Sequence, residues 1–126
     1  MNILLVEKNK VVRNSINHVL SKEGYKVTNA ENGQIAYDYL TNEKFDILIT
    51  NITLPYYSGY ELISYLRNEV NDPNTKIVVI SDNFTADNMN RLYKMGMDEM
   101  IEKPFAPMEL IIRIGKLSEQ IRSKNV

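Results

Sequence analysis

Five short apolar runs, each followed by a stretch whose apolar residues recur at helical spacing, restrict this chain to very few architectures. The runs fall at about 2–6, 25–29, 46–51, 76–81 and 99–102, and their length and β-branched content read as strands. Between them, Val12, Ile16, Val19 and Leu20 share one helical face, with Gly24 as the stop. Ile35, Ala36, Tyr39 and Leu40 repeat that spacing. A third helix opens at Ser58 with Glu61 in capping-box position, and carries Leu62, Ile63, Leu66 and Val70 inward. The fourth, at about 85–95, turns Met89, Leu92 and Tyr93 one way and ends at Gly96. Pro107 suits the first position of the fifth, whose stripe is Leu110, Ile114, Leu117 and Ile121. This alternation predicts an α/β fold of three layers, a doubly wound (βα)5 unit on a parallel sheet. At 126 residues it is one domain, 1–126, with neither repeat nor linker. Right-handed crossovers then set the loops after the first and third strands side by side at the carboxyl edge of the sheet.

Composition narrows the function classes. The formal net charge of −1 argues against direct binding of DNA or RNA, which needs a basic surface to neutralise phosphates. No apolar run approaches the roughly 18 residues of a membrane helix, and Met1–Val6 lacks the basic flank of a signal peptide. A cytoplasmic location and no membrane partner are expected. With no cysteine, neither a disulfide framework nor a thiolate metal site can form.

The strand Phe45–Thr50 runs into Asn51, and then Ile52-Thr53-Leu54-Pro55-Tyr56-Tyr57-Ser58-Gly59-Tyr60-Glu61. This passage resembles the phosphoacceptor segment of the response-regulator receiver family: a hydrophobic strand, Asp, two residues, Met or Leu, Pro, then Gly-x-Glu. The resemblance extends from Ile3 to the last helix and implies the CheY-like, flavodoxin-like sheet order 2-1-3-4-5. It also implies a phosphoacceptor at position 51, where this chain has an amide. A carboxamide is uncharged, a poor nucleophile and unable to form an acyl phosphate.

The family's other site positions are changed too. Its acidic pair after the first strand, which holds Mg²⁺ with the phosphoacceptor, is matched here by Glu7 and Lys8. Mg²⁺ takes hard oxygen ligands in tight octahedral geometry, so none is expected where one carboxylate faces two ammoniums, those of Lys8 and Lys103. An ammonium at about 4 Å from Glu7 interacts by roughly 4 kcal/mol at an effective dielectric of about 20, before desolvation. Lys8 can therefore act as a built-in cation, or can extend into solvent. Ser81 matches the hydroxyl that bonds a phosphoryl group, and equally suits capping of a strand end. Lys103-Pro104 matches the family's Lys-Pro motif, whose peptide bond is commonly cis; the Lys103 ammonium is expected on the Asn51 amide oxygen or on Glu7. Met100 occupies the switch position, where the family usually has Tyr or Phe.

With the input side altered, function is expected on the output side. The stretch Asp98–Ile114 resembles the OmpR/PhoB-like subfamily, whose receivers dimerise through the fourth helix, fifth strand and fifth helix. The candidates here are Arg91, Asp98, Glu99, Glu109 and Arg113 around Tyr93 and Ile111; the alternative is a solvated charged face. Met89 stands where a basic partner for Glu109 would be expected. The leading expectation is a phosphorylation-independent pseudo-receiver, not an enzyme, that dimerises and regulates a transcription factor whose DNA-binding domain lies outside this chain. Alternatives are a stand-alone interaction adaptor, and a sensor of a small anion between Lys8 and Lys103. Phosphotransfer to Asp46 or Asp82, and flavin binding, are weaker. His18 reads as structural or exposed.

Overall fold

The computed structural model describes residues 1–124, so the expected boundary at Val126 lies outside the described residues. Strands β1 (Asn2–Val6), β2 (Lys26–Ala30), β3 (Ile47–Asn51), β4 (Lys76–Ser81) and β5 (Glu99–Glu102) form one sheet. Its order is β2-β1-β3-β4-β5, and every pairing is parallel. The helices between them are α1 (Lys10–Lys22), α2 (Gly33–Asn42), α3 (Gly59–Ser64, continued by a π turn at Tyr65–Glu69), α4 (Ala86–Met95) and α5 (Pro107–Lys124).

Strand periodicity divides the core. Leu4, Val6, Leu48, Ile77 and Val79 point to one side, against Ala36, Leu40, Leu62 and Leu92 of α2, α3 and α4. Ile3, Leu5, Ile47, Ile49, Val78 and Ile80 point to the other, against Ile16, Leu20, Leu110 and Ile114 of α1 and α5. Central strands covered on both faces have no reason to alternate polar and apolar residues, which is why they appear in the sequence as unbroken apolar runs. The caps are those the sequence announces. Ser58 and Glu61 bond reciprocally at the start of α3, and Gly96 ends α4 with φ near 106°.

One inward position differs from expectation. Val70 is 43% exposed, because the last turn of the third helix widens: the Val70 N–H reaches Tyr65 O at 2.9 Å, a π spacing. One extra residue per turn rotates the register by about 100°, enough to carry Val70 off the buried stripe. Arg67, within that turn, donates to Gly96 O, Asp72 O and Asp98 Oδ2, tying the end of α3 to the α4–β5 turn. In α4 only Leu92 is fully buried, while Tyr93 is 52% exposed.

Backbone proximity fixes the edge where the loops gather. A Cβ on Gly59 would lie 2.2 Å from Asn51 O, and one on Gly33 would lie 1.9 Å from Tyr57 O. Both positions therefore admit no side chain. The Gly59 and Gly33 N–H groups bond Ile52 O and Pro55 O, so the β3–α3 loop is held against α2 at one end and α3 at the other.

Candidate functional site

The parallel sheet brings the residues that follow β1, β3, β4 and β5 to one edge. There Glu7, Lys8, Asn51, Ser81, Asp82 and Lys103 border a shallow cleft of about 120 Å³. Glu7 is 2% exposed and held on all sides. Its Oε1 accepts from Lys103 Nζ at 2.8 Å and its Oε2 from the Asn9 N–H at 3.0 Å. Its backbone is equally engaged: the N–H donates to Ala30 O, and the carbonyl accepts from Arg13 Nη1 at 2.7 Å. Asn51 is 9% exposed, and its Nδ2 lies 3.4 Å from Val6 O. Of the two partners expected for Lys103, the structure selects Glu7, and the Lys103–Pro104 bond is cis.

Burial pushes the Glu7 carboxyl up, but hydrogen bonds from Lys103, Asn51 and Asn9, together with the lysine's charge, outweigh it and hold the group below its ordinary value. Asp72 is shifted the same way: burial raises it, and bonds from Asn74 and Thr75 prevail. A carboxyl made more acidic by folding contributes its full stability above the unfolded value, near 4.5 for Glu7, and loses it as pH falls through the folded value. The unfolding midpoint is therefore expected to be level down to about pH 5 and to drop below it. Replacing Glu7 by Gln should make the acid limb shallower, as thermal melts followed by circular dichroism would show; an unchanged limb would remove Glu7 from this role.

Lys8 does not act as the built-in cation. Its side chain is exposed and makes no ion pair among the described residues, because Lys103 reaches Glu7 from the β5 side and the Asn9 N–H takes the other oxygen. Asp82 borders the same cleft, so the local balance is two carboxylates against two ammoniums rather than a cationic pocket. The Ser81 hydroxyl accepts from the Asn83 N–H at 3.1 Å, closing a turn within its own loop. Asp46 lies at the other end of its strand, bonded to the Asn2 N–H. His18 is exposed. Among the described residues no three His, Cys, Asp or Glu are grouped as metal ligands would be.

Met100 packs against the cluster on the α2–α3–α4 side of the sheet. On the adjoining surface, Arg113 bonds Glu99 at 2.8 Å and Glu109 at 3.1 Å, across β5 and α5. The other charged candidates are occupied elsewhere. Asp98 accepts from Arg67 and from the Ile77 N–H and forms a longer ion pair with Lys76 at 3.9 Å, and the Arg91 guanidinium stacks on Tyr60, 3.8 Å from the ring centroid. Ile111 is half-buried, whereas Met108 and its neighbour Ile112 are exposed, as is Tyr93. Sequence reasoning missed Arg13 and the cleft position of Asp82. The signal for Arg13 was its place on the first turn of α1, directly after the Glu7 loop.

A parallel five-stranded sheet in the order 2-1-3-4-5, with its polar residues gathered after β1, β3, β4 and β5, defines a signalling module of the two-component type. The chain belongs to the response regulator receiver domain family, whose family model matches residues 3–115. It is 35% identical over 130 residues to the probable transcriptional regulator ycf29 of Porphyra purpurea, covering 99% of this chain and 61% of that protein. To the phosphate regulon transcriptional regulatory protein PhoB of Pseudomonas aeruginosa it is 31% identical over 112 residues, covering 89% of this chain and 49% of the relative. Among solved structures it superposes on a CheY-like response regulator receiver domain protein from Methanospirillum hungatei with a TM-score of 0.87, at 28% identity over 97% of each chain. The chain thus spans between about half and three fifths of the curated relatives it matches. Members of this family are signalling modules rather than enzymes. No helix among the described residues is long and apolar enough to cross a membrane.

Proposed function

We propose that this receiver domain signals without being phosphorylated, as the dimerising N-terminal regulatory domain of a DNA-binding transcription regulator. The observation that carries this reading is the Asn51 amide at the end of β3, beside a buried Glu7 whose two oxygens are already taken. An amide nitrogen has its lone pair delocalised into the carbonyl, so the position offers no nucleophile for a phosphoryl group. Nor do the donors suit Mg²⁺. The ion demands near-octahedral oxygen ligation, whereas Glu7 is held by N–H groups, Asn51 presents an amide and Lys8 an ammonium. In this reading Lys103 closes the site from within, and Glu7 serves as its counter-ion. Binding of a small anion is disfavoured, because Lys103 is spent on Glu7 and Asp82 offsets Lys8.

Output then rests on α4, β5 and α5. Tyr93, Met108 and Ile112 supply the apolar area, and the Arg113 pairs with Glu99 and Glu109 set register. Exposed ion pairs contribute about 0–1 kcal/mol each, so association depends on the apolar side chains. That the relatives are transcriptional regulators favours this reading over a stand-alone adaptor. The direct test is incubation with acetyl phosphate and Mg²⁺ followed by intact-mass measurement. The expected spectrum shows no added phosphoryl group, a gain of about 80 Da. A stable adduct, whether it maps to Asp82 or elsewhere, would overturn the proposal.

A further inference from the structure

Away from the cleft, three tyrosines from three separate segments meet on the surface formed by α2, the β3–α3 loop and the end of α3. The rings of Tyr37 and Tyr57 stack with centroids 4.7 Å apart and planes 18° apart. Tyr65 meets Tyr37 edge-on, at 4.9 Å and 63°. All three are half-buried, so part of each residue is open to water. The platform is rigid by construction: the Gly33 N–H bonds Pro55 O, and the missing Cβ of Gly33 lets the Tyr57 backbone press on the start of α2.

The charge around these rings is negative. Burial raises the Tyr37 hydroxyl above its ordinary value, and the carboxylates of Glu69 and Asp38 push it the same way. Neither Asp38 nor Glu69 makes an ion pair among the described residues; the Asp38 carboxylate accepts from Gln34 Nε2 at 3.0 Å. Tyrosine faces attract guanidinium groups through the ring quadrupole, and nearby carboxylates add to that attraction. The chain already uses this chemistry elsewhere on α3, where Arg91 lies over Tyr60.

From this geometry and charge we infer that the Tyr37–Tyr57–Tyr65 platform, flanked by Asp38 and Glu69, is a docking surface for an arginine-bearing basic segment of a partner protein. The platform is already ordered, so binding orders only the incoming segment, which lowers the entropic cost. The platform shares no residue with the cleft, so the inference does not rest on the proposed function.

The test is a titration with a capped arginine–glycine repeat peptide, followed by NMR of the tyrosine ring protons. Matched glutamate–glycine and proline-rich peptides serve as controls. The Tyr37, Tyr57 and Tyr65 signals are expected to shift and saturate with the arginine peptide alone, and less tightly as salt is raised. The exposed pair of substitutions Asp38→Asn and Glu69→Gln should weaken binding about three- to tenfold with the melting temperature unchanged. Tyr37→Leu, which keeps the packing and removes the π face, should abolish it; if that variant does not fold, the charge pair decides. Absent ring shifts, equal shifts with the proline-rich peptide, or retained affinity in the charge pair would each overturn the inference.

Discussion

Asn51→Asp alone is expected to leave the chain unable to accumulate a phosphoryl group, whereas Asn51→Asp with Lys8→Asp should gain about 80 Da from acetyl phosphate in the presence of Mg²⁺. Two requirements separate the variants. The first is a nucleophile, which the carboxylate introduced by Asn51→Asp supplies in both. The second is a cation to neutralise charge as phosphoryl oxygens approach, and Mg²⁺ binds through one or two carboxylates plus phosphate oxygens. In the single variant the new carboxylate adjoins Glu7 and must share the Lys103 ammonium with it, while Lys8 repels the metal at the position where the family holds an acid. The double variant sets Glu7 and the two introduced carboxylates against Lys103, which suits a divalent ion and leaves the lysine free for phosphoryl oxygens. Intact mass spectrometry with and without EDTA reads the result. Full modification of the single variant would show that the metal site was never the second barrier. Modification of the parent chain would remove the basis of the proposed function.

Most of the fold was legible because burial imposes period. Strands covered on both faces appear as unbroken apolar runs, and helices covered on one face repeat near 3.6 residues. Val70 escaped this logic, since a π turn has no compositional signature and shows only in the bond from Val70 N–H to Tyr65 O. The cleft was legible where residues end or directly follow strands, as Glu7, Asn51, Ser81 and Lys103 do. What sequence could not give was direction. Lys8 and Asp82 are loop residues whose side-chain courses depend on which partners are within reach, and Lys103 from a distant segment takes the Glu7 oxygen that Lys8 would need. Arg91 and Asp98 were placed on the output face by their sequence neighbourhood, yet Tyr60 and Arg67, both far off in the chain, hold them. The tyrosine platform was invisible for the same reason, because its rings come from three separate segments.

Lys103→Met is expected to destabilise the domain by about 3 kcal/mol at neutral pH, although the replacement keeps an apolar stem of similar length. The Glu7 side chain is 3% exposed and that of Lys103 26%, so removing the ammonium leaves a carboxylate in a poorly solvated place with only the Asn9 N–H and the Asn51 amide to stabilise it. Breaking a buried pair from one side costs about 3–5 kcal/mol, and partial exposure of the lysine sets this case at the lower end. Glu7→Gln should cost less, about 1 kcal/mol, because a neutral amide can still accept from the Asn9 N–H and Lys103 can turn to water. Combining Glu7→Gln with Lys103→Met should then give a chain more stable than Lys103→Met alone, the mark of an unpaired buried charge being relieved. The pH dependence separates the variants further. In the parent, folding acidifies Glu7, and stability falls as acid is added; in Lys103→Met, with the lysine's hydrogen bond and charge gone, burial is expected to outweigh the Asn51 and Asn9 bonds and raise the carboxyl. A raised carboxyl favours the folded state when protonated, so that variant should gain stability between about pH 7 and pH 5, where the parent stays level. Urea unfolding at the two pH values measures both effects. A Lys103→Met curve that coincides with the parent at each would show that the internal pair does not hold the site closed.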